Sequence, residues 1–166
     1  MHFNQDQDYC AGCMSNEDFI LIITRSGLGM VQDDNLFPIY IFEPEIDDET
    51  LGKSLLQALN NSRTISDATE RAEFFNLEKS KQQYEEWVKM LREKFQYKSR
   101  KALFKNMKNC HIWLNNGQIE IEPTKHVKLE AWDGEGIKEE DHVYLSITDS
   151  PSEIGQGLKL ALQRCI

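Results

Sequence analysis

Asn109-Cys110-His111-Ile112-Trp113-Leu114-Asn115-Asn116-Gly117-Gln118-Ile119-Glu120-Ile121 is the stretch whose reading decides the fold. Cys110, Ile112 and Leu114 alternate with His111 and Trp113, so one set faces each side of an extended chain. Asn115-Asn116-Gly117 supplies the positive φ angles of a tight turn, and Ile119 and Ile121 resume the alternation. The segment is a β-hairpin with one apolar face, and Pro123 ends it. Such a face must be covered, so the remaining elements have to supply more strands and helices to pack on it.

Downstream, Val127 to Trp132 reads as a short strand or an extended arm, and Val143, Leu145 and Ile147 mark a clear strand. Ser150-Pro151-Ser152-Glu153 is a capping box with proline at the first helical position. Ile154, Leu158, Ala161, Leu162 and Cys165 then form the stripe of a last helix. Upstream, Phe19 to Ile23 is a continuous apolar run bounded by Gly27 and Gly29, which reads as a strand buried on both faces. Pro38 to Phe42 reads the same way, with a loop or hairpin between them. Asp47 or Asp48 can cap a helix carrying Leu51, Leu55, Ala58 and Leu59 and ending near Asn60-Asn61. Residues 62 to 76 are less regular, with Phe74 and Phe75 expected to dock. A longer helix follows from Leu77 to Phe95, its stripe made of Tyr84, Trp87, Val88, Leu91 and Phe95. Ser99 can cap a short helix through Met107.

Clustered strands and helices with a hairpin among them predict an α+β fold, a mostly antiparallel sheet of about five strands with about four helices packed on it. Residues 1 to 17 are polar and aperiodic and are expected to form a flexible N-terminal tail, leaving 18 to 166 as a single α+β domain. A chain of 166 residues suits one core; divided in two, each half would be marginal. No apolar run approaches the roughly 18 residues of a membrane span. The first residues, Met1 to Asp8, lack a basic start and an apolar core, so no secretory signal is read and a cytoplasmic location is expected. In that reducing compartment Cys10, Cys13, Cys110 and Cys165 are expected to be free thiols, Cys110 and Cys165 acting as small apolar residues.

The net charge of −9 is uneven. Residues 79 to 108 hold ten basic and three acidic side chains, whereas residues 1 to 50 hold eleven acids and one base, Arg25. A large part of the surface should therefore project a negative potential and attract a cationic partner.

Motifs with chemistry in them are few. Cys10-Ala11-Gly12-Cys13 has the spacing of a redox pair or half a zinc site. The first needs a strand before and a helix after it, and the second needs further paired ligands, whereas His111, His126 and His142 are isolated. His111 and His142 are read as strand histidines pointing to solvent. Gly27-Leu28-Gly29 lacks the third glycine and lysine of a phosphate loop and reads as a turn. No serine or cysteine sits in a nucleophile signature, so no catalytic residue, no cofactor and no metal site is expected. Lys79 to Lys108 interleaves with Trp87, Phe95, Tyr97 and Phe104 as an RNA-binding face would, but Trp87 and Phe95 belong to the apolar stripe.

Lys101-Ala102-Leu103-Phe104-Lys105-Asn106-Met107-Lys108-Asn109-Cys110, Pro123-Thr124-Lys125-His126, Lys128-Leu129-Glu130-Ala131-Trp132 and the run from Ser150 to Cys165 together resemble the CdiI immunity proteins of contact-dependent growth inhibition. The resemblance implies a small cytosolic protein, not an enzyme, that binds the C-terminal toxin domain of a cognate CdiA effector and blocks it. Many such toxins are nucleases, and a phosphate-binding cleft is basic, which suits an acidic inhibitor. On that reading Asp33, Asp34, Glu45, Asp47 and Asp48 are expected on the toxin-facing surface, with Glu139, Glu140 and Asp141 as a competing patch. The alternative is an RNA-binding accessory protein using the basic face of residues 79 to 108.

Overall fold

A computed structural model describes residues 1–166. The strand elements are β1 (Tyr9–Ser15), β2 (Ile20–Leu28), β3 (Met30–Asp33), β4 (Tyr40–Phe42), β5 (Lys108–Asn115), β6 (Gln118–Pro123), β7 (Lys125–Lys128), β8 (Ala131–Asp133) and β9 (Val143–Ser146). The helices are α1 (Asp48–Asn61), α2 (Ala68–Phe74), α3 (Leu77–Phe95), α4 (Arg100–Phe104) and α5 (Pro151–Arg164). Seven strands form one antiparallel sheet in the order β3-β2-β1-β5-β6-β9, with β4 paired to the other end of β2. β7 and β8 make a separate small hairpin. The fold is α+β, with somewhat more strands than the sequence suggests.

The deciding hairpin forms as read: Asn116 and Gly117 take φ of 49° and 77°, and Ile112 lies opposite Ile121. Cys110, Ile112, Leu114, Ile119 and Ile121 turn to the sheet face that α1 and α5 cover, where they join Leu51, Leu55, Ala58, Leu59, Ile154 and Leu158 in the larger core. On the opposite face, α3 and α4 cover one end of the sheet. There Met14, Phe19 and Leu21 pack with Val88, Leu91, Leu103, Phe104 and Met107. The helix starts follow local chemistry, with Asp47 accepting from Thr50 N, Ser99 from Ala102 N, and Ser150 and Glu153 closing a reciprocal capping box.

Two expectations need correction. The segment read as a tail contains β1, which is buried along its whole length and paired with β2 on one side and β5 on the other. The apolar alternation is hidden because its middle residues, Cys10, Ala11, Gly12 and Cys13, are small. Small side chains are what this place in the sheet accommodates: a Cβ at Gly12 would lie 2.5 Å from the Arg25 guanidinium. The second correction is β4, which is half-buried at the sheet edge instead of buried on both faces. α2 is short, places no residue fully inside, and was not anticipated in the irregular stretch.

α1 and α5 cross with their backbones nearly touching. A Cβ on Gly52 would meet the Pro151 carbonyl oxygen at 1.8 Å, and one on Gly155 would meet the Asp48 carbonyl oxygen at 1.9 Å. Backbone cannot swing aside as a side-chain tip can, so Gly155→Ala must push the helices apart over the main core. A loss of about 3 kcal/mol, at the upper end of the usual overpacking range, is expected. Thermal melts followed by circular dichroism should place this variant roughly 5 °C or more below the parent. Gly134→Ala, where an added Cβ meets nothing within 4 Å, should leave the melting temperature unchanged.

Candidate functional site

The alternation that sends isoleucines into the core sends a different set of residues to the other side. Gly12 and His111 are register partners, as are His111 and Glu122, Trp113 and Glu120, and Glu120 and Tyr144. α5 packs on β5, β6 and β9 from the core side. On the reverse side His111, Trp113, Glu120, Glu122 and His142 are only half-buried, and Tyr144 is exposed. This polar patch on a rigid sheet is the candidate functional surface.

One end of the patch is organised by Arg25, 8% exposed, whose guanidinium lies over Gly12. Its Nε donates to Asp33 at 3.0 Å and its Nη1 to His111 Nδ1 at 2.7 Å. Because a guanidinium only donates, His111 Nδ1 must accept, which leaves the ring neutral with its proton on Nε2. Burial, then the Arg25 charge, lowers the His111 pKa to about 4. His111 is therefore a bonded, largely buried group, not the solvent-facing histidine the sequence suggests.

Beside it, burial raises the Cys10 thiol to about 12 despite Arg25 nearby. Cys13 is fully buried on the other face, because residues three apart on a strand point to opposite sides. The CxxC spacing therefore makes neither a redox pair nor half a zinc site, and both thiols are free.

The other end of the patch is acidic. His142 Nδ1 lies 2.9 Å from Glu120 Oε1, and burial, followed by the charge of Glu120, raises the pKa of Glu122. Glu120, Glu122 and His142 each offer a ligand atom within 4.8 Å of the others, the one grouping in the molecule able to approach a cation together. Desolvation and the carboxylates of Glu120 and Glu139 raise the Tyr144 phenol, so Glu139 belongs to the same electrostatic neighbourhood. The sequence carried the signal for this cluster, since Glu120 and Glu122 occupy the outward half of the hairpin alternation.

The anticipated acids are scattered. Asp33 is bonded to Arg25 at the rim of the patch. Asp34 is 2% exposed and lies inside, accepting from Ser26 Oγ at 2.6 Å and from Arg63 Nε at 2.8 Å. Burial would raise the pKa of Asp34, but the bonds from Arg63, Ser26 and the Leu36 amide hold it below the usual carboxylate range. Asp34 is thus a structural counter-ion and offers no surface to a partner. Glu45 is exposed, Asp47 caps α1, and Asp48 pairs with Lys159 at 2.7 Å. Glu139 and Glu140 are exposed in a short 3-10 turn that Asp141 closes by accepting from Lys138 N.

The basic face of α3 and α4 has no aromatic platform to offer bases. Phe104 is buried, and Trp87, Phe95 and Tyr97 pack against the smaller core, Phe95 stacking on Phe19. Arg100 is tied to Glu130 and Glu85.

Fold and surface together define a small α+β protein that displays its polar chemistry on the open part of a sheet face, with no nucleophile–base pair upon it. The chain belongs to the CdiI family, described as CDI immunity protein, whose model matches residues 9–165. It is 40% identical over 166 residues to Immunity protein CdiI-YPIII of Yersinia pseudotuberculosis serotype O:3 (strain YPIII), with 93% of this chain and 94% of that protein covered. Among solved structures, a protein of unknown function from Neisseria meningitidis matches with a TM-score of 0.94 and 51% identity over the whole of both chains. A chain of the CdiA-CT/CdiI toxin and immunity complex from Yersinia pseudotuberculosis matches with a TM-score of 0.89 and 36% identity, covering 96% of this chain and 98% of that one. No helix is long and apolar enough to cross a membrane.

The half-buried, Arg25-bonded His111 makes a pH prediction. Its folded pKa, about 4, lies below the ordinary 6.5, so the stability it contributes is complete above pH 6.5 and is lost as the pH falls toward 4. Urea unfolding at a series of pH values should show a constant stability difference between the parent and His111→Gln above pH 6.5, shrinking between 6.5 and 4. A difference that stays constant down to pH 4 would mean that His111 titrates as a free side chain.

Proposed function

We propose that this protein binds the C-terminal toxin domain of a cognate CdiA effector in the cytosol and neutralises it by occupancy, without turning over a substrate. The observation that carries this reading is the likeness along nearly the whole chain to a component of a CdiA-CT/CdiI toxin and immunity complex. Charge adds the chemistry of the partner. With a net charge of −9, the molecule suits a toxin whose working surface is cationic, as that of a nuclease or RNase must be to hold phosphates.

The toxin-facing surface is assigned to the acidic end of the sheet patch, Glu120 and Glu122, continued by Glu139, Glu140 and Asp141. Asp33, at the rim, and Glu45, Asp47 and Asp48, at the start of α1, form the rival position. The first is favoured because Glu122 is half-buried beside another carboxylate with a raised pKa, a state that an incoming lysine or arginine would relieve. Complementary fields accelerate encounter, while a few desolvated contacts fix the lifetime of the complex.

Co-purification with the C-terminal domain encoded by the adjoining effector gene, and survival of cells producing both, test the function itself. For the surface, Glu139→Lys with Glu140→Lys should slow association about tenfold at low salt, with the difference fading as salt screens the field. Stopped-flow binding measures this directly, and Glu45→Lys with Glu43→Lys, its exposed neighbour two residues earlier, probes the rival position. If neither pair changes the association rate, the electrostatic account of recognition is wrong. A gel shift with RNA at moderate salt separates the alternative reading, because an immunity protein has no need of nucleic-acid affinity.

A further inference from the structure

Three of the four cysteines converge on the sheet face away from the acidic patch. Cys13 lies opposite Cys110 in the β1–β5 register, and Cys165, at the end of α5, places its Sγ 3.6 Å from the Sγ of Cys110. All are free thiols. Cys110 is fully buried, whereas Cys165 is only partly covered, so Cys165 is the more open member of the close pair. As a thiol, Cys165 Sγ can donate to the Asn109 carbonyl at 3.5 Å or to that of Ala161 at 3.6 Å, contacts that place it over Cys110 and that it gives up on ionising.

We propose that Cys110 and Cys165 form a peroxide-sensitive modification site that closes to a disulfide and staples the end of α5 to β5. The environment divides the labour between them. A hydrogen bond from the Cys110 thiol is the main influence lowering the Cys165 pKa below that of an ordinary thiol, with Lys108 also favouring the thiolate against burial. Sharing that hydrogen bond, then burial, raises Cys110 well above its ordinary value, so the proton stays on the inner sulfur.

The Cys165 thiolate attacks one oxygen of hydrogen peroxide; a sulfur–oxygen bond forms, the oxygen–oxygen bond breaks, and hydroxide leaves to become water. Cys110 then surrenders its proton and attacks the Cys165 sulfenic acid. The sulfur–sulfur bond forms, the sulfur–oxygen bond breaks, and the departing hydroxide takes up a proton as the second water. Two thiols lose two electrons in all, and one peroxide is reduced to two waters.

The two residues are 55 apart in sequence, so the bond would close a loop that includes β6, β9 and α5, restricting the unfolded chain more than the folded one. It would also pin the chain end, where Ile166 N donates to Thr124 O and His126 N to Ile166 O. Because the staple lies on the core side, toxin binding should be the same before and after oxidation.

The test is peroxide treatment of the full chain, followed by alkylation of remaining thiols, intact mass and non-reducing peptide mapping. The expected result is a monomer about 2 Da lighter before alkylation, which after unfolding takes alkyl groups on Cys10 and Cys13 alone, gives a Cys110–Cys165 cross-linked peptide, and melts roughly 5 °C higher until dithiothreitol reverses the change. Cys165→Ser, a conservative change at a partly exposed position, should abolish the mass loss and the stabilisation. Four alkylatable thiols after treatment, sulfinic or sulfonic acid accumulating on Cys165, a disulfide between chains, or pairing of Cys110 with Cys13 would each overturn the proposal.

Discussion

Everything in this molecule hangs on β1 lying between β2 and β5. Six of its seven residues pair along one edge with β2, and all seven pair along the other with β5, uniting segments about 100 residues apart into one sheet. The helices repeat that union above the sheet, since α1 from the first half crosses α5 from the second at Gly52 and Gly155. A strand so enclosed has room for little side-chain volume. Cys10, Ala11, Gly12 and Cys13 are consequences of position, and the absence of a Cβ at residue 12 is what lets the Arg25 guanidinium lie across the strand.

That arrangement also decides which part of the sheet stays open. One face of the sheet is committed to α1 and α5, and one end of the other is committed to α3 and α4. What remains is the strip holding Arg25, His111, Trp113, Glu120, Glu122 and Tyr144. Its single buried cation is already satisfied by Asp33 and His111, so Arg25 cannot neutralise the acids at the far end. A surface held by strand pairing has little ordering to lose on binding, which suits the proposed recognition of a cationic toxin by the acids of this strip.

How much of this was legible depends on what each element had to pack against. The hairpin, α1, α3, α4 and α5 announce themselves because one side meets water and the other meets the core, which imprints a period on the sequence: Ile119 and Ile121 against Glu120 and Glu122, or Tyr84, Val88 and Leu91 on α3. β1 carries no such imprint because both of its sides are interior and sterically confined. β3 and α2 are short, and their exposed or half-buried residues leave no run to detect. At the site, charge counting found the acidic character but not its arrangement. Asp33 and Asp34 are neighbours in sequence, yet one sits on a rim and the other at 2% exposure beneath Arg63, a distinction set by strand pleating and tertiary contact.

The stretches that carried the family resemblance have a physical role that explains why they speak of fold more than of target. Trp132 Nε1 donates to the Met107 carbonyl at 2.8 Å, fastening the β7–β8 hairpin beneath α4, and Glu130 holds Arg100 and the Tyr84 hydroxyl. Thr124 turns its hydroxyl to the Asn109 carbonyl, and Ser150 with Glu153 starts the helix whose Gly155 meets α1. Each bond joins one part of this chain to another and offers a partner nothing. Glu120, Glu122, Glu139 and Glu140 lie outside those stretches, in the outward alternation of β6 and in an exposed turn. A protein built this way can keep its interior while changing the charges on its free sheet face, because outward residues on a strand can be exchanged without disturbing the pairing or the core beneath them.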